Sequence, residues 1–248
     1  MGFKDWQQWG KRPDESERHN IHRLSGELPD MECTNQLVKI ISEIHKPGMK
    51  ILDVGCNVGH YLKGIRKQFP NLDYVGVDAY EKYIDIAKNN FENDTHASFT
   101  VKDIFKPIFP NQPYDIVFCC NVIQHLPDFR IPITNLLQST KKCCIVRTFL
   151  ADYTHIVKST MSDTFDDEGN PLDFWYLNTW NKKYFSEFIN QLGWNVEFIK
   201  DEFNPKQIQK EFETIKNTDS DVSTRIVNGM QIVEDMLENW LWAKITPK

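Results

Sequence analysis

The sequence has no long apolar run, and its first residues have no apolar core. The chain has 248 residues, and none of its stretches approaches the roughly 20 apolar residues of a membrane-spanning helix. The opening Met-Gly-Phe-Lys-Asp-Trp lacks the apolar segment of a secretory signal peptide. Trp6 stands where a myristoylation signal has Ser or Thr. We therefore expect no membrane span and a cytoplasmic location.

An excess of positive charge is also missing. The formal net charge is -6 at pH 7, and Lys and Arg form no clear basic stripe. Binding to nucleic acid is normally driven by neutralisation of phosphates, so this composition argues against RNA or DNA as a partner. We expect a small-molecule partner and a monomer or homodimer.

The six cysteines lack the spacing of a disulfide framework or a metal site. The Cys-Cys pairs at 119–120 and 143–144 lie in apolar, strand-like runs, where neighbouring side chains point to opposite faces. Buried thiols in a reducing compartment are the simplest interpretation. His19 and His22 have helical metal spacing but no third ligand in sequence, so no metal is predicted.

The chain is organised around residues 50–61, Lys-Ile-Leu-Asp-Val-Gly-Cys-Asn-Val-Gly-His-Tyr. An apolar run leads through Asp53 into Gly55 and Gly59, and a helical pattern starts at Tyr61. This pattern predicts a strand, a tight turn and a helix. Such a turn lets backbone N–H groups and a helix N-terminus approach a ligand closely. A glycine-rich turn alone is weak evidence.

Polar residues at three further strand ends strengthen the prediction. Asp78 ends an apolar run 19 positions beyond Gly59, the distance of an acidic residue that binds a ribose diol. Asp103 ends the next run, and Asn121 with His125 follows the run after it. Ligands of open α/β sheets lie at the carboxyl ends of the strands. Four strand ends therefore predict one ligand site.

At these positions the sequence resembles the class I S-adenosylmethionine-dependent methyltransferases, most of all the small-molecule branch called type 11 or type 12. The resemblance runs from about residue 49 to 150 and is weaker through 181–203. It is carried by Leu52-Asp53-Val54-Gly55-Cys56, Gly59, Gly76-Val77-Asp78, Asp103, Tyr114-Asp115-Ile116-Val117 and Asn121 through Asp128. One departure is Asn57, which replaces the family's middle glycine. Asn tolerates a positive φ best among the other residues, so we expect the turn to be kept.

The resemblance implies S-adenosylmethionine as cofactor. It places at the cofactor site Asp53, Gly55, Cys56, Asn57, Gly59, Asp78, Ala79, Asp103, Ile104 and Asn121. By resemblance Asp78 binds the ribose and Asp103 the adenine amino group, whereas Asp53 orients backbone or the methionine ammonium. Alternatives remain: Asp78 can cap the helix that follows, Asp103 can cap a turn, and the glycines can serve packing alone.

The predicted fold is α/β, a Rossmann-like doubly wound sheet of seven mostly parallel strands with an antiparallel last strand. Predicted strands cover 50–54, 73–78, 97–102, 114–120, 142–149, 194–199 and 240–245, and predicted helices 31–45, 60–69, 80–91, 131–139 and 182–192. Asp30 and Asn181 are expected N-caps. By resemblance the last strand lies between the fifth and sixth. We expect one domain over 1–248, with 1–46 as an N-terminal cap.

Three stretches exceed the minimal fold. Residues 1–30 are either an arm over the cofactor or a loosely ordered tail. The insertion 151–180 is long and aromatic and follows the fifth strand, so we interpret it as a wall or lid of the substrate site. Its candidates for substrate contact are Tyr176, Asn178 and Trp180, with core packing as the alternative. The insertion 204–238 has a helix-like stretch at 208–215, and its part at 225–233 is either an Asn-Gly hairpin or the start of a helix.

His125 is the catalytic candidate, because a His with a pKa near neutrality can take a proton from a hydroxyl. Its alternative role is to pack beside the cofactor. We expect O-methylation of a small polar acceptor, namely a sugar, nucleotide-linked sugar or other surface-glycan building block in a bacterium. Alternatives are an RNA or tRNA methyltransferase, a non-catalytic partner with the same fold, and a nicotinamide oxidoreductase.

Overall fold

The computed structural model describes residues 15–109, 111–160, 165–170, 174–204, 206, 224–227, 230–233, 236–237 and 239–248. Its helices are α1 (Glu15–Ser25), α2 (Glu32–Ile44), α3 (His60–Gln68), α4 (Glu81–Asn90), α5 (Arg130–Gln138) and α6 (Lys182–Gln191), and a 3₁₀ turn covers Ile123–His125. Its strands are β1 (Lys50–Val54), β2 (Asp73–Asp78), β3 (Ala97–Val101), β4 (Tyr114–Cys120), β5 (Thr140–Ala151), β6 (Lys158–Thr160), β7 (Phe174–Tyr176), β8 (Trp180–Asn181), β9 (Trp194–Lys200), β10 (Thr224–Val227), β11 (Met230–Val233), β12 (Met236–Leu237) and β13 (Trp240–Pro247).

The central sheet has the strand order β3-β2-β1-β4-β5-β13-β9, and β8 pairs with the end of β5. Strands β1 to β5 pair with one another in parallel. Strand β13 is antiparallel to both β5 and β9. The predicted fold is therefore confirmed, including the antiparallel last strand between the fifth and sixth strands of the predicted order.

The core lies on both faces of this sheet. Along β1, Ile51 belongs to the cluster that includes side chains of α2, α3 and α4, whereas its neighbour Leu52 belongs to the cluster with α5 and α6. Successive strand residues point to opposite faces, so an apolar strand supplies both clusters. The sheet is buried on both sides, and its carboxyl edge is left to carry polar groups.

Two helix starts differ in how well they were predicted. Asn181 caps α6 as expected, because its side chain accepts a hydrogen bond from the Tyr184 N–H at 2.9 Å. The predicted cap at Asp30 is wrong: the N-cap of α2 is Met31, without a side-chain cap. The Asp30 carboxylate pairs instead with Lys67 of α3.

The insertions carry structure of their own. Residues 158–160 and 174–176 form the antiparallel ladder of β6 and β7. Strands β10 and β11 pair with Val227 opposite Met230, so the hairpin alternative is the one observed. The helix-like stretch at 208–215 lies outside the described residues.

Two further observations concern composition. All six cysteines are buried free thiols, and the two Cys-Cys pairs lie in the strands β4 and β5 as predicted. In the described part of the chain, every helix is too short or too polar to cross a membrane.

Candidate active site

The turn between β1 and α3 is left-handed at three positions. The φ angles are 82° at Gly55, 50° at Asn57 and 84° at Gly59. Asn57 therefore adopts the positive φ expected for the family's middle glycine. A Cβ at Gly55 would lie 2.3 Å from Cγ2 of Val122, and one at Gly59 would lie 2.9 Å from Cε2 of Phe91. Both glycines are thus required by conformation and by space.

Backbone hydrogen bonds join this turn to the end of β2. The N–H groups of Gly55 and Cys56 donate to the carbonyl of Val77 at 2.8 and 3.0 Å. The N–H of Asn57 donates to Oδ2 of Asp78 at 2.9 Å. The glycine turn and the predicted ribose-binding carboxylate therefore belong to one structural unit.

The Asp78 carboxylate is held by backbone donors. Its Oδ1 accepts from the Tyr80 N–H at 3.0 Å, and its Oδ2 from Asn57. Burial raises the pKa of Asp78, while these backbone hydrogen bonds lower it. A carboxylate has roughly four acceptor positions, so capacity remains for a diol. Asp78 thus bonds the backbone at the start of α4, as the capping alternative suggests, without losing its capacity for the ribose role.

Asp53 lies beneath the turn and is almost completely buried. The Tyr74 hydroxyl donates to its Oδ2 at 2.5 Å, and burial raises the pKa of Asp53 to about 8. The neighbouring Cys56 thiol is also buried, and burial raises its pKa well above the usual value. The buried Asp53 side chain therefore stabilises the end of β1 through its hydrogen bond with Tyr74. Cys56 can contact a ligand only through its backbone.

The end of β3 is stabilised by a local cap. Oδ1 of Asp103 accepts from the Phe105 N–H at 2.8 Å, which is the turn-capping alternative. The carbonyl of the buried Ile104 accepts from Nδ2 of Asn135 at 2.8 Å. Ala79, after β2, packs against the same core cluster. The cofactor contacts predicted for Asp103 and Ile104 remain predictions.

Helix α1 contacts the turn at residues 55–59, although the sequence of this helix shows little hydrophobic periodicity. Nδ2 of Asn20 donates to Oδ1 of Asn57 at 3.3 Å, and the Lys63 ammonium of α3 donates to the Arg23 carbonyl. Residues 15–25 therefore form an arm against the turn rather than a loose tail. Residues 1–14 lie outside the described part.

The first residue of α3 offers an unpaired polar atom at this turn. Nδ1 of His60 is buried and has no hydrogen-bond partner within the described ranges. Burial, and then the nearby Arg23, lower the pKa of His60 to about 3, so the ring is neutral at pH 7. Together with the two positions too tight for a Cβ and the spare capacity of Asp78, this atom fits an adenosyl ligand with polar edges.

A buried ionic network at the ends of β4 and β5 was missed by the sequence analysis. Asn121 has a φ of 61°, donates from Nδ2 to the Tyr61 hydroxyl at 3.1 Å and accepts from Nη1 of Arg147 at 2.6 Å. Arg147 also pairs with Asp201 at 2.7 Å, and their side chains are only 7% and 9% exposed. Its guanidinium lies 3.8 Å from the ring centroid of Trp240.

This network gives Asn121 a different role from the predicted one. Both ends of its amide are bonded within the protein, so a cofactor would meet its backbone more readily than its side chain. The one signal in the sequence was Arg147 itself, the single charged residue in the run 143–150. A charge in a buried strand requires a partner elsewhere in the chain.

His125 meets the 151–180 segment. Its Nδ1 lies 3.0 Å from the carbonyl oxygen of Tyr176. A carbonyl can only accept, so Nδ1 carries the proton and Nε2 carries the basic lone pair. The structure therefore brings together the catalytic candidate and one of the substrate candidates at the carboxyl end of β4.

The other two substrate candidates are packed inside. Asn178 is 0% exposed, and its side chain donates to the Leu126 carbonyl and accepts from the Val157 N–H. Trp180 is 6% exposed and packs on Phe129 with ring centroids 5.2 Å apart. The core-packing alternative describes both residues, which corrects the expectation that they face an acceptor. Tyr176 stays a candidate for acceptor contact.

Among the residues that the structure describes, no three His, Cys, Asp or Glu side chains are grouped as metal ligands would be.

Comparison with known proteins agrees with the resemblance. Residues 52–144 match the methyltransferase domain family. A ubiquinone biosynthesis O-methyltransferase of Coxiella burnetii is 30% identical over 114 residues, which are 45% of this chain and 48% of the relative. A 2-methyl-6-phytyl-1,4-hydroquinone methyltransferase of Synechocystis is 27% identical over 129 residues, 52% of this chain and 37% of the relative. The match thus spans less than half the length of either relative.

Solved structures agree on the fold. A crystal structure of an S-adenosylmethionine-dependent methyltransferase from Clostridium acetobutylicum superposes with a TM-score of 0.57, covering 94% of this chain and 98% of that one at 11% identity. At that identity the likeness concerns the fold alone. The fold is therefore that of the class I methyltransferases. The match of residues 52–144 to the methyltransferase domain and the shared fold agree with the predicted resemblance to the class I S-adenosylmethionine-dependent methyltransferases, whose methyl donor is S-adenosylmethionine.

Proposed function

We propose that the chain is an O-methyltransferase that acts on a small, hydroxyl-bearing acceptor. The observation that carries the proposal is His125, whose Nδ1 is tied to the Tyr176 carbonyl at the carboxyl end of β4. This end of the sheet also carries the left-handed turn that fits the cofactor. Donor and base are therefore expected to flank one space.

S-adenosylmethionine, when bound, supplies an electrophilic methyl group on a sulfonium. The chain's first contribution is alignment, because such a transfer depends on the position of donor and acceptor. The turn at 55–59 would hold the methionine end, Asp78 the ribose and Asp103 the adenine. His125 would take the acceptor's hydroxyl proton at Nε2 while the acceptor oxygen gains the methyl group and the donor sulfur keeps the electron pair of the broken S–C bond.

Two acceptor classes are compatible with this site. A sugar or nucleotide-linked sugar, such as a glycan building block in a bacterium, could stack on the ring of Tyr176. A phenolic hydroxyl is the second candidate, supported by the names of the two relatives, which refer to ubiquinone biosynthesis and to a hydroquinone. A phenol with a pKa of about 10 needs a weaker base than an alcohol.

Other proposals rest on fewer observations. The six free thiols fit a cytoplasmic setting, and one functional unit over 1–248, monomeric or homodimeric, is the simplest organisation. A net charge of -6 makes an RNA acceptor the weaker alternative. The intact turn and Asp78 argue against a non-catalytic partner.

Titration calorimetry with S-adenosylmethionine tests the cofactor site. Asp78→Ala should weaken binding by about 1.5–3 kcal/mol, the size of hydrogen bonds to a charged group. Asp115→Asn is the matched control, because Asp115 also accepts a backbone N–H, from Lys50 at 3.0 Å, but at the opposite edge of the sheet. Equal affinity in the Asp78 variant, with the fold intact, would remove Asp78 from the ribose role.

Release of S-adenosylhomocysteine tests the acceptor. A panel of nucleotide sugars, free hexoses, catechol, hydroquinone and bulk tRNA distinguishes the alternatives. With the acceptor that is turned over, His125→Ala should lower turnover by about 10²-fold or more and remove the acidic limb of the pH–rate profile. Survival of that limb would show that His125 is not the base. Turnover of tRNA alone would favour the RNA alternative.

A further inference from the structure

We propose that Asn178 is a positioning residue that fixes the tautomer of His125 by clamping the 151–180 segment to the loop after β4. The inference deepens the proposed function and rests on it for its catalytic meaning. Its physical content is a hydrogen-bond geometry that can be tested without any acceptor.

The clamp consists of hydrogen bonds on both sides of His125. The backbone N–H of Asn178 donates to the carbonyl of Gln124 at 2.7 Å. Its side-chain Nδ2 donates to the carbonyl of Leu126 at 2.8 Å. One residue thus holds the two neighbours of His125.

A third hydrogen bond closes the arrangement on His125 itself. Its Nδ1 donates to the carbonyl of Tyr176, two residues before Asn178, at 3.0 Å. Residues 124–126 and 176–178 are therefore joined by three hydrogen bonds, two of them from Asn178 and one from the imidazole. If either stretch were displaced, the Tyr176 carbonyl would move away from the His125 imidazole.

Both partners of the clamp are anchored elsewhere. Oδ1 of Asn178 accepts from the Val157 N–H at 3.0 Å, which ties the clamp to the residue before β6. The side chain of Gln124 accepts from the Thr148 hydroxyl of β5 at 3.2 Å, and both residues are buried. The loop is therefore held between β5 and the segment, and Asn178 is the side chain that reaches across.

The clamp matters because an imidazole has two neutral forms. Free imidazole side chains favour the form with the proton on Nε2, which would leave the lone pair on Nδ1. The Tyr176 carbonyl stabilises the opposite form, with the lone pair on Nε2. Since a general base acts through its unprotonated nitrogen, Asn178 decides which side of the ring is basic.

The sequence contains a matched control for Asn178. Asn181 lies three residues further along the same segment and also makes two side-chain hydrogen bonds to backbone. The partners of these two hydrogen bonds are the Asp152 carbonyl and the Tyr184 N–H, neither of which belongs to residues 124–126. Asn181→Ala should disturb the segment without releasing His125.

Long-range ¹H–¹⁵N spectra of the ¹⁵N-labelled protein test the proposal, with His125→Gln used to assign the His125 signals. At a pH well above the usual imidazole pKa of about 6.5, His125 of the unmodified chain should carry its proton on Nδ1. In Asn178→Ala the ratio of the two forms should move toward Nε2–H by about tenfold, the effect of one net hydrogen bond. Asn181→Ala should leave it unchanged.

Two results would overturn the proposal. One is an Nε2–H form of His125 in the unmodified chain, and the other is an Nδ1–H form that persists in a folded Asn178→Ala protein. If the Ala variant does not fold, Asn178→Asp keeps the acceptor for Val157 and loses the donor to Leu126, and the same shift is expected. These spectra need no methyl transfer, so failure of the clamp and failure of the proposed activity are separate outcomes.

Discussion

The cofactor turn at 55–59 and the segment at 151–180 achieve their structures in different ways. The turn depends on backbone conformation, with positive φ at Gly55, Asn57 and Gly59. Few residue types tolerate that conformation, so the requirement is visible in the sequence. The segment depends on side chains that meet distant partners, as Trp180 meets Phe129. Many residue types can pack, so composition alone does not reveal which of them do.

The largest predicted loss of stability comes from a substitution in the 151–180 segment rather than in the turn at 55–59. Trp180→Ala should lower the free energy of unfolding by about 3–5 kcal/mol, because it removes a large side chain from the core. Phe165→Ala is the control, since this aromatic of the same segment is 52% exposed and should change stability by at most about 0.5 kcal/mol. Urea unfolding measures both. A stable Trp180 variant that has lost only acceptor turnover would restore Trp180 as a wall residue.

A pair of glycines tests the turn against the segment directly. Gly55 and Gly169 have nearly equal φ angles, 82° and 83°, but a Cβ at Gly169 meets nothing within 4 Å. Gly169→Ala should show only the left-handed strain of about 1–2 kcal/mol. Gly55→Ala should add the overlap with Val122, for a total of about 2–4 kcal/mol, and should weaken S-adenosylmethionine binding. Thermal unfolding measures the loss of stability, and titration calorimetry measures the binding of S-adenosylmethionine. Equal losses of stability in the two variants would contradict the claim that a Cβ at Gly55 overlaps with Val122.

The third effect is a dependence of stability on pH, and it concerns Asp53, the residue beneath the turn. Burial raises the pKa of Asp53 from 3.8 to about 8, so between these values the folded chain holds a proton that the unfolded chain has released. The contribution of Asp53 to stability should therefore fall as pH rises through this window, by at most about 1.4 kcal/mol per pH unit. The opposite contribution of His60 offsets it below about pH 6.5, so the net fall should be seen between about pH 6.5 and 8.

Asp53→Asn should remove that dependence, because an amide does not titrate and can still accept from the Tyr74 hydroxyl. Unfolding in denaturant at several pH values measures the slope. His60 provides an internal control of opposite sign: its lowered pKa reduces stability as pH falls below about 6.5, and this acid limb should persist in the variant. An unchanged slope between pH 4 and 8 would show that Asp53 is already ionised in the folded chain.

The sequence predicted the sheet well because apolar runs and strand-end carboxylates are local signals. It did not predict α1, whose polar residues show little periodicity and whose position depends on contacts such as Lys63 with the Arg23 carbonyl. Nor did it predict the pairing of Arg147 with Asp201, which lie 54 residues apart. Aromatic density in 151–180 predicted an ordered segment but could not separate a wall from a core. The hydrogen bond from His125 to the Tyr176 carbonyl joins residues 51 positions apart, so no local pattern in the sequence predicts it.

The position of β13 has a consequence for how the chain is made. This strand fills the gap between β5 and β9, yet residues 201–239 are synthesised after β9 and before it. Until β13 emerges from the ribosome, β5 and β9 each present an unpaired strand edge. Such edges invite pairing with other chains, so the nascent protein passes through an aggregation-prone interval. Trp242 lies opposite Arg147 in the pairing of β13 with β5, and Trp240 lies opposite Phe149. The Arg147 guanidinium contacts both indole rings, so it lacks these two contacts until β13 has been synthesised.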